Sequence, residues 1–248
     1  MLTFWAGAGG LGLTVPVASA QSERMEYDIT WIGVSVGTMR VQSETLEDGS
    51  VLRSIRVWNR PWIAKVYPVD NTIECRIEAT TEGPRHTLTK QMSERNFTQD
   101  DVLVLWPETG RAVWSNAVSN VVHSFEVPPG TRDYVSFFFD LRDAAANQSW
   151  AVDGDYQLVM DGDVHALELQ VGESTRIRTP LGRRDAIPVK AISRSPTLFS
   201  RNQPRSVWVC PVRPVVLSAD VVTRFGAVRG TLSHWEIDGQ PIDLEPSE

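Results

Sequence analysis

From residue 24 onward, apolar and polar positions alternate with a period of two. Tyr27, Ile29 and Trp31 alternate with Glu26, Asp28 and Thr30, and the pattern continues past Gly33 and Gly37 through Val34, Val36, Met39 and Val41. This is the period of a half-buried strand. Asp48-Gly49 predicts a hairpin turn into a strand over Val51–Trp58, which Asn59-Arg60-Pro61 ends. A second hairpin is predicted from 67–79 and 85–97 around Glu82-Gly83. A short pair follows, Leu103–Leu105 with Ala112–Ser115, across Pro107–Gly110. Further strands are predicted at 155–160, 164–171, 173–179, 185–193, 205–210, 214–224 and 228–236, with Asp161-Gly162 as another tight turn. One segment, Tyr134–Ala146, has helical spacing, with Thr131 or Asp133 as its cap and Phe137, Phe138 and Leu141 expected to face the sheet. The spacings leave no room for crossover helices, so the sheet is expected to be antiparallel. The predicted fold is all-β, a strongly curved or barrel-like sheet with one short helix packed on it.

Composition adds the compartment. Residues 1–20 carry no charge, and the apolar run Leu2–Val17 closes with Ala18-Ser19-Ala20. That ending fits a cleaved signal peptide, although no basic residue precedes the run. Four glycines and Pro16 make it a poor membrane helix. Residues 21–248 are expected to form a single β-rich domain in the periplasm or cell envelope. Net charge is −7, which argues against nucleic acid as a partner. Arg supplies all but three of the 24 basic residues. Two cysteines, Cys75 and Cys210, are either a disulfide of an exported protein or two buried thiols, and sequence does not choose between them.

Motifs that carry chemistry fare poorly in context. Gly7-Ala8-Gly9-Gly10-Leu11-Gly12 satisfies a dinucleotide fingerprint but lies in the leader, with no strand before it. Gly33-Val34-Ser35-Val36-Gly37 satisfies G-x-S-x-G, yet β-branched residues flank Ser35 and a strand follows where a hydrolase elbow needs a helix. The glycines are expected to permit a bend or bulge. Asp161, Asp163 and His165 alternate, but the first two belong to a turn. No metal site and no cofactor are expected. Of nine Trp residues, Trp31, Trp58 and Trp62, with Tyr27 and Tyr67, cluster near the first strands and could line a binding face.

Several segments in order resemble the bacterial family called domain of unknown function 3108. They are Tyr27 to Met39, Tyr67-Pro68-Val69-Asp70-Asn71, Pro128 to Phe137 leading to Leu141-Arg142, Thr179-Pro180-Leu181-Gly182 before Ala186 to Val189, and Val207-Trp208 through Leu217 to Val228. The resemblance spans nearly all of 25–235 and implies an exported, predominantly β protein. It implies no activity and no catalytic residues.

Three functional readings follow. The first is a non-catalytic envelope protein that binds a lipid or other amphipathic ligand in the concavity of its sheet, at Tyr27, Trp31, Trp58, Trp62 and Tyr67. The second is a scaffold or assembly factor with a protein partner at a sheet edge. The third, a minor one, is a serine hydrolase using Ser35.

Overall fold

A computed structural model describes residues 21–147, 156–193, 202–223 and 226–244. The predicted leader and the glycine motif at 7–12 lie outside these residues. The chain forms β1 (Ser22–Trp31), β2 (Val34–Thr45), β3 (Val51–Asn59), α1 (Pro61–Ala64), β4 (Val69–Thr80), β5 (Gly83–Glu94), β6 (Phe97–Trp106), β7 (Arg111–Asn116) and β8 (Val121–Glu126). It continues with β9 (Arg132–Asp133), α2 (Tyr134–Ala146), β10 (Tyr156–Met160), β11 (Asp163–Val171), β12 (Thr175–Thr179), β13 (Gly182–Ser193), β14 (Asn202–Val209), β15 (Val216–Thr223), β16 (Gly226–Ile237) and β17 (Gln240–Pro241).

Backbone pairing arranges the strands β8-β7-β6-β5-β4-β3-β2-β1-β16-β15-β14-β13-β11-β10-β9, with β12 beside β13 past the end of β11 and β17 folded back on β16. Every pairing is antiparallel except the two-residue contact of β9 with β10. The fold departs from the expected pattern at the first turn, at the short helix α1 and at β8. The alternation through Gly33 is two strands rather than one, because Ile32 and Gly33 both take left-handed φ (49° and 76°) and reverse the chain. The bulge expected among the glycines is present: the β1–β2 register slips at Val36. Gly37 follows it, and a Cβ there would meet the Trp58 carbonyl oxygen at 2.7 Å. The strand β8 forms where the sequence pattern predicts none.

One face of this sheet is concave and apolar. Met25, Tyr27, Val41, Cys75, Leu88, Leu103, Leu105, Leu232 and Trp235 are buried on it. Among the described residues, the two ends of the sheet overlap instead of joining through a ladder. Asp161 and Gly162, in the β10–β11 turn, press against the concave side of β5–β7. Asp161 Oδ1 takes the Lys90 ammonium at 2.6 Å and the Gln99 amide at 3.0 Å. A Cβ on Gly162 would lie 2.9 Å from the Trp114 ring, so only glycine allows this approach.

The helix α2 occupies the concavity. It buries Val135, Ser136, Phe139, Leu141, Arg142 and Ala145. The expected helix boundaries and the Asp133 cap match, but its inner face is rotated from the expected one. Phe139 is buried, while Phe138 is half-buried and Phe137 packs on the small Leu158–Leu167 cluster. Phe139 lies between two guanidinium groups, Arg53 at 4.4 Å and Arg142 at 4.5 Å from the ring centre. Arg142 Nη1 pairs with Glu23 Oε2 at 2.7 Å, and Glu23 Oε1 accepts the Trp235 indole N–H at 2.8 Å. This largely buried pair sets the rotation of α2 against β1 and β16.

Truncation of Phe139 to Ala is therefore expected to cost about 3–5 kcal/mol in urea unfolding. Phe138→Ala is expected to cost less than half of that. Equal losses would contradict the observed rotation of the helix.

Candidate functional site

The sheet brings together one compact group of chemically versatile side chains that are distant in sequence. Cys75 on β4 and His86 on β5 are near neighbours, because Cys75 pairs with Leu88 and Ile77 with His86. Both sit on the concave face. Asp133 reaches them from the start of α2. It is the N-cap residue, with extended backbone (φ −78°, ψ 160°), and its Oδ1 accepts the Ser136 N–H at 2.8 Å. That satisfies one of the orphan donors of the first turn. The other oxygen, Oδ2, faces the sheet. His86 Nδ1 lies 2.8 Å from it and the Cys75 thiol 3.5 Å. Ser136 Oγ stands 3.3 Å from the same His86 nitrogen.

A carboxylate only accepts, so His86 Nδ1 carries the proton and donates to Asp133. Burial alone would raise the Asp133 carboxyl. The hydrogen bond and charge of His86, with the Ser136 N–H, outweigh it and hold the group below the usual carboxylate range. Burial, with the adjacent Asp133, pushes the Cys75 thiol well above its usual range. The thiol is thus protonated and no nucleophile. Ser136, His86 and Asp133 form no relay either. A relay needs the carboxylate on one imidazole nitrogen and the hydroxyl on the other, and here both meet Nδ1.

The group lies beneath a cavity of about 580 Å³ at the mouth of the sheet. His86 and Ser136 form part of its wall, together with Arg53, Arg132, Asp140 and Glu108. Arg132 pairs with Asp140 at 2.8 Å.

The chain matches the family model described as "Protein of unknown function (DUF3108)" over residues 26–233. The chain belongs to the DUF3108 family. No curated protein matches it. Among solved structures, it is similar to a β-barrel-like protein of domain of unknown function DUF1849 from Brucella abortus. The TM-score is 0.58 at 11% identity, over 87% of this chain and 97% of that one. At that identity the likeness concerns the fold, and it agrees with the curled antiparallel sheet.

Within this DUF3108 fold the five aromatic residues expected to form one binding face are dispersed. Tyr27 is buried in the core, where its hydroxyl donates to the Val216 carbonyl at 3.0 Å. Trp58 is on the opposite, outer face between Arg40 and Arg56, at 5.3 and 5.5 Å. There it borders a shallow cavity of about 450 Å³ with Asn59, Ala64 and Pro68. Trp62 is exposed on α1, and Trp31 and Tyr67 are half-buried. The five do not converge because a one-residue step along a strand changes face, and Tyr27 and Trp58 fall on opposite parities. Cys75 and Cys210 are both buried free thiols, not a disulfide. Ser35 has no His beside it: its hydroxyl lies 3.4 Å from Asp28 Oδ1 and accepts from Arg60 Nε at 3.3 Å. No motif spacing marks the Cys75–His86–Asp133 group in the sequence, because its members come from two strands and a helix cap.

Asp133→Ala removes a cap and leaves His86 buried without its acceptor, for an expected loss of about 3 kcal/mol in chemical denaturation. The folded carboxyl titrates below its unfolded value. Its contribution is therefore present above about pH 4 and disappears as pH falls below that. The gap between wild type and Asp133→Ala should narrow over that range, and a gap that widens in acid would contradict the assignment.

Proposed function

We propose that this protein is exported to the cell envelope and acts there without catalysis, as a scaffold or assembly factor that accepts a strand of a partner protein on the edge of β8. The observation that carries the reading is that open edge. Among the described residues β8 pairs with β7 alone. Val127 N–H donates to Gly110 O at 2.8 Å, which sets the phase of the ladder. Residues 121, 123 and 125 then turn their backbone groups toward β7, and Val122, Ser124 and Glu126 turn theirs outward. Val121 and Val122 are 45% and 71% exposed, and nearby Val118 is 58% exposed. The strand has no Lys, Arg or Pro, the usual guards of an edge. Such an edge suits strand addition, in which main-chain hydrogen bonds supply affinity. Export rests on the uncharged run ending Ala18-Ser19-Ala20.

A lipid or amphipathic ligand in the concavity has less support, since α2 and the core side chains fill that space. The hydrolase reading loses its base, since Ser35 has Asp28 and Arg60 as partners and no histidine.

A photo-crosslinking residue in place of Val122, in the native envelope, is expected to give one discrete adduct. Ser124→Pro should abolish it and keep the melting temperature within a few degrees, because the Ser124 N–H faces away from β7. No adduct, or one indifferent to the proline, would refute the edge as the partner site. Mass spectrometry of the envelope fraction should find a mature N-terminus at Gln21. An intact Met1 in the cytosol would refute export.

A further inference from the structure

We propose that Cys75, His86 and Asp133 bind one divalent metal ion of the zinc class, with a fourth coordination position open to the mouth cavity. The inference is independent of the β8 edge.

A helix cap needs one carboxylate oxygen, and Oδ1 of Asp133 already serves Ser136. Oδ2 is surplus to the cap, and it is the atom on which His86 and Cys75 converge. The three residues offer a nitrogen, a sulfur and an oxygen, the donor set of protein zinc sites. One ligand atom from each of Cys75, His86 and Asp133 lies within 4.8 Å of the other two. Ligand atoms at about 2.0–2.3 Å from a tetrahedral zinc ion stand about 3.3–3.8 Å apart. The Cys75–Asp133 separation of 3.5 Å is already in that range. The His86–Asp133 separation of 2.8 Å is a hydrogen-bond length and must open by about half an ångström. All three residues are buried on strands and a capped helix, so the donors are held in place.

Binding requires two proton movements. The thiol proton leaves to solvent as the sulfur–metal bond forms. The Nδ1 proton of His86 also leaves to solvent, and the imidazole ligates through Nδ1 as the neutral ring with its remaining proton on Nε2. The ion neutralises the thiolate and the carboxylate, and Arg53, across the ladder from Cys75, further favours the thiolate. Entry is from the mouth cavity, whose wall includes His86 and Ser136. Three protein ligands and one outward position are the arrangement of an open rather than a closed metal site.

The test is titration of the full chain, stripped with a chelator, with Co²⁺ and then Zn²⁺. One equivalent of Co²⁺ is expected to give a thiolate-to-cobalt charge-transfer band with the intense visible bands of tetrahedral cobalt. One equivalent of Zn²⁺ should displace it and raise the melting temperature. Cys75→Ser keeps a hydroxyl near Asp133 and should fold, yet lose the charge-transfer band, weaken binding at least tenfold and lose the thermal shift. Cys210→Ala, the other buried thiol, should leave all three intact. His86→Gln should weaken binding at least tenfold while retaining the folded circular dichroism. Absence of the band in folded wild type would overturn the site, as would a band that survives Cys75→Ser.

Discussion

A sheet that curls without closing its ladder has a concave face that must be covered from within. Here α2 is the cover, and its seating depends on ionic groups in the interior. Glu23 grips Arg142 and Trp235 at one place, and Asp133 meets His86 and Cys75 at another. Apolar contact alone is non-directional and would tolerate several rotations of the helix. Paired buried charges do not, since a helix turned by one residue would strand a carboxylate or a guanidinium without its partner. The core supplies most of the driving force, and these pairs select one arrangement.

The arginine bias of the composition finds a physical use in the same architecture. Phe139 is held between Arg53 and Arg142, Trp58 between Arg40 and Arg56, and Trp106 and Trp208 each carry one guanidinium, Arg111 and Arg229. A planar guanidinium lies flat on a ring and keeps its edges free for carboxylates, which an ammonium cannot do. Arg229 illustrates this: it covers Trp208 and makes a two-point pair with Asp220.

Much of the fold was legible from local chemistry. Turns at Asp48-Gly49 and Asp161-Gly162, the helix with its Asp133 cap, and most strands follow from residues within a few positions of each other. What was not legible depends on long-range geometry or on weak local signals. The turn at Ile32-Gly33 was hidden because a bulky residue rarely takes a left-handed φ. The run Val121–Glu126 shows a muted alternation because it is exposed on both faces. The helix was placed correctly but its rotation was not, because Glu23 and Arg53, which choose Phe139 over Phe138, are far away in the chain. The aromatic face failed through strand parity. The Cys75–His86–Asp133 group was invisible because strand register and a helix terminus create it.

The scrolled arrangement has a consequence for assembly. Its inner end is the two-residue β9, which holds the buried cap Asp133. Strand β17 is equally short, and β12 carries Arg176 and Arg178 along its exposed side. Of the strands left unpaired along one whole side among the described residues, β8 is the longest and lacks such protection. A molecule with two sticky edges propagates into fibres, because each addition leaves a new edge behind. A molecule with one terminates as soon as it is used. On the proposed reading, a union through β8 therefore closes at a stoichiometry of one to one.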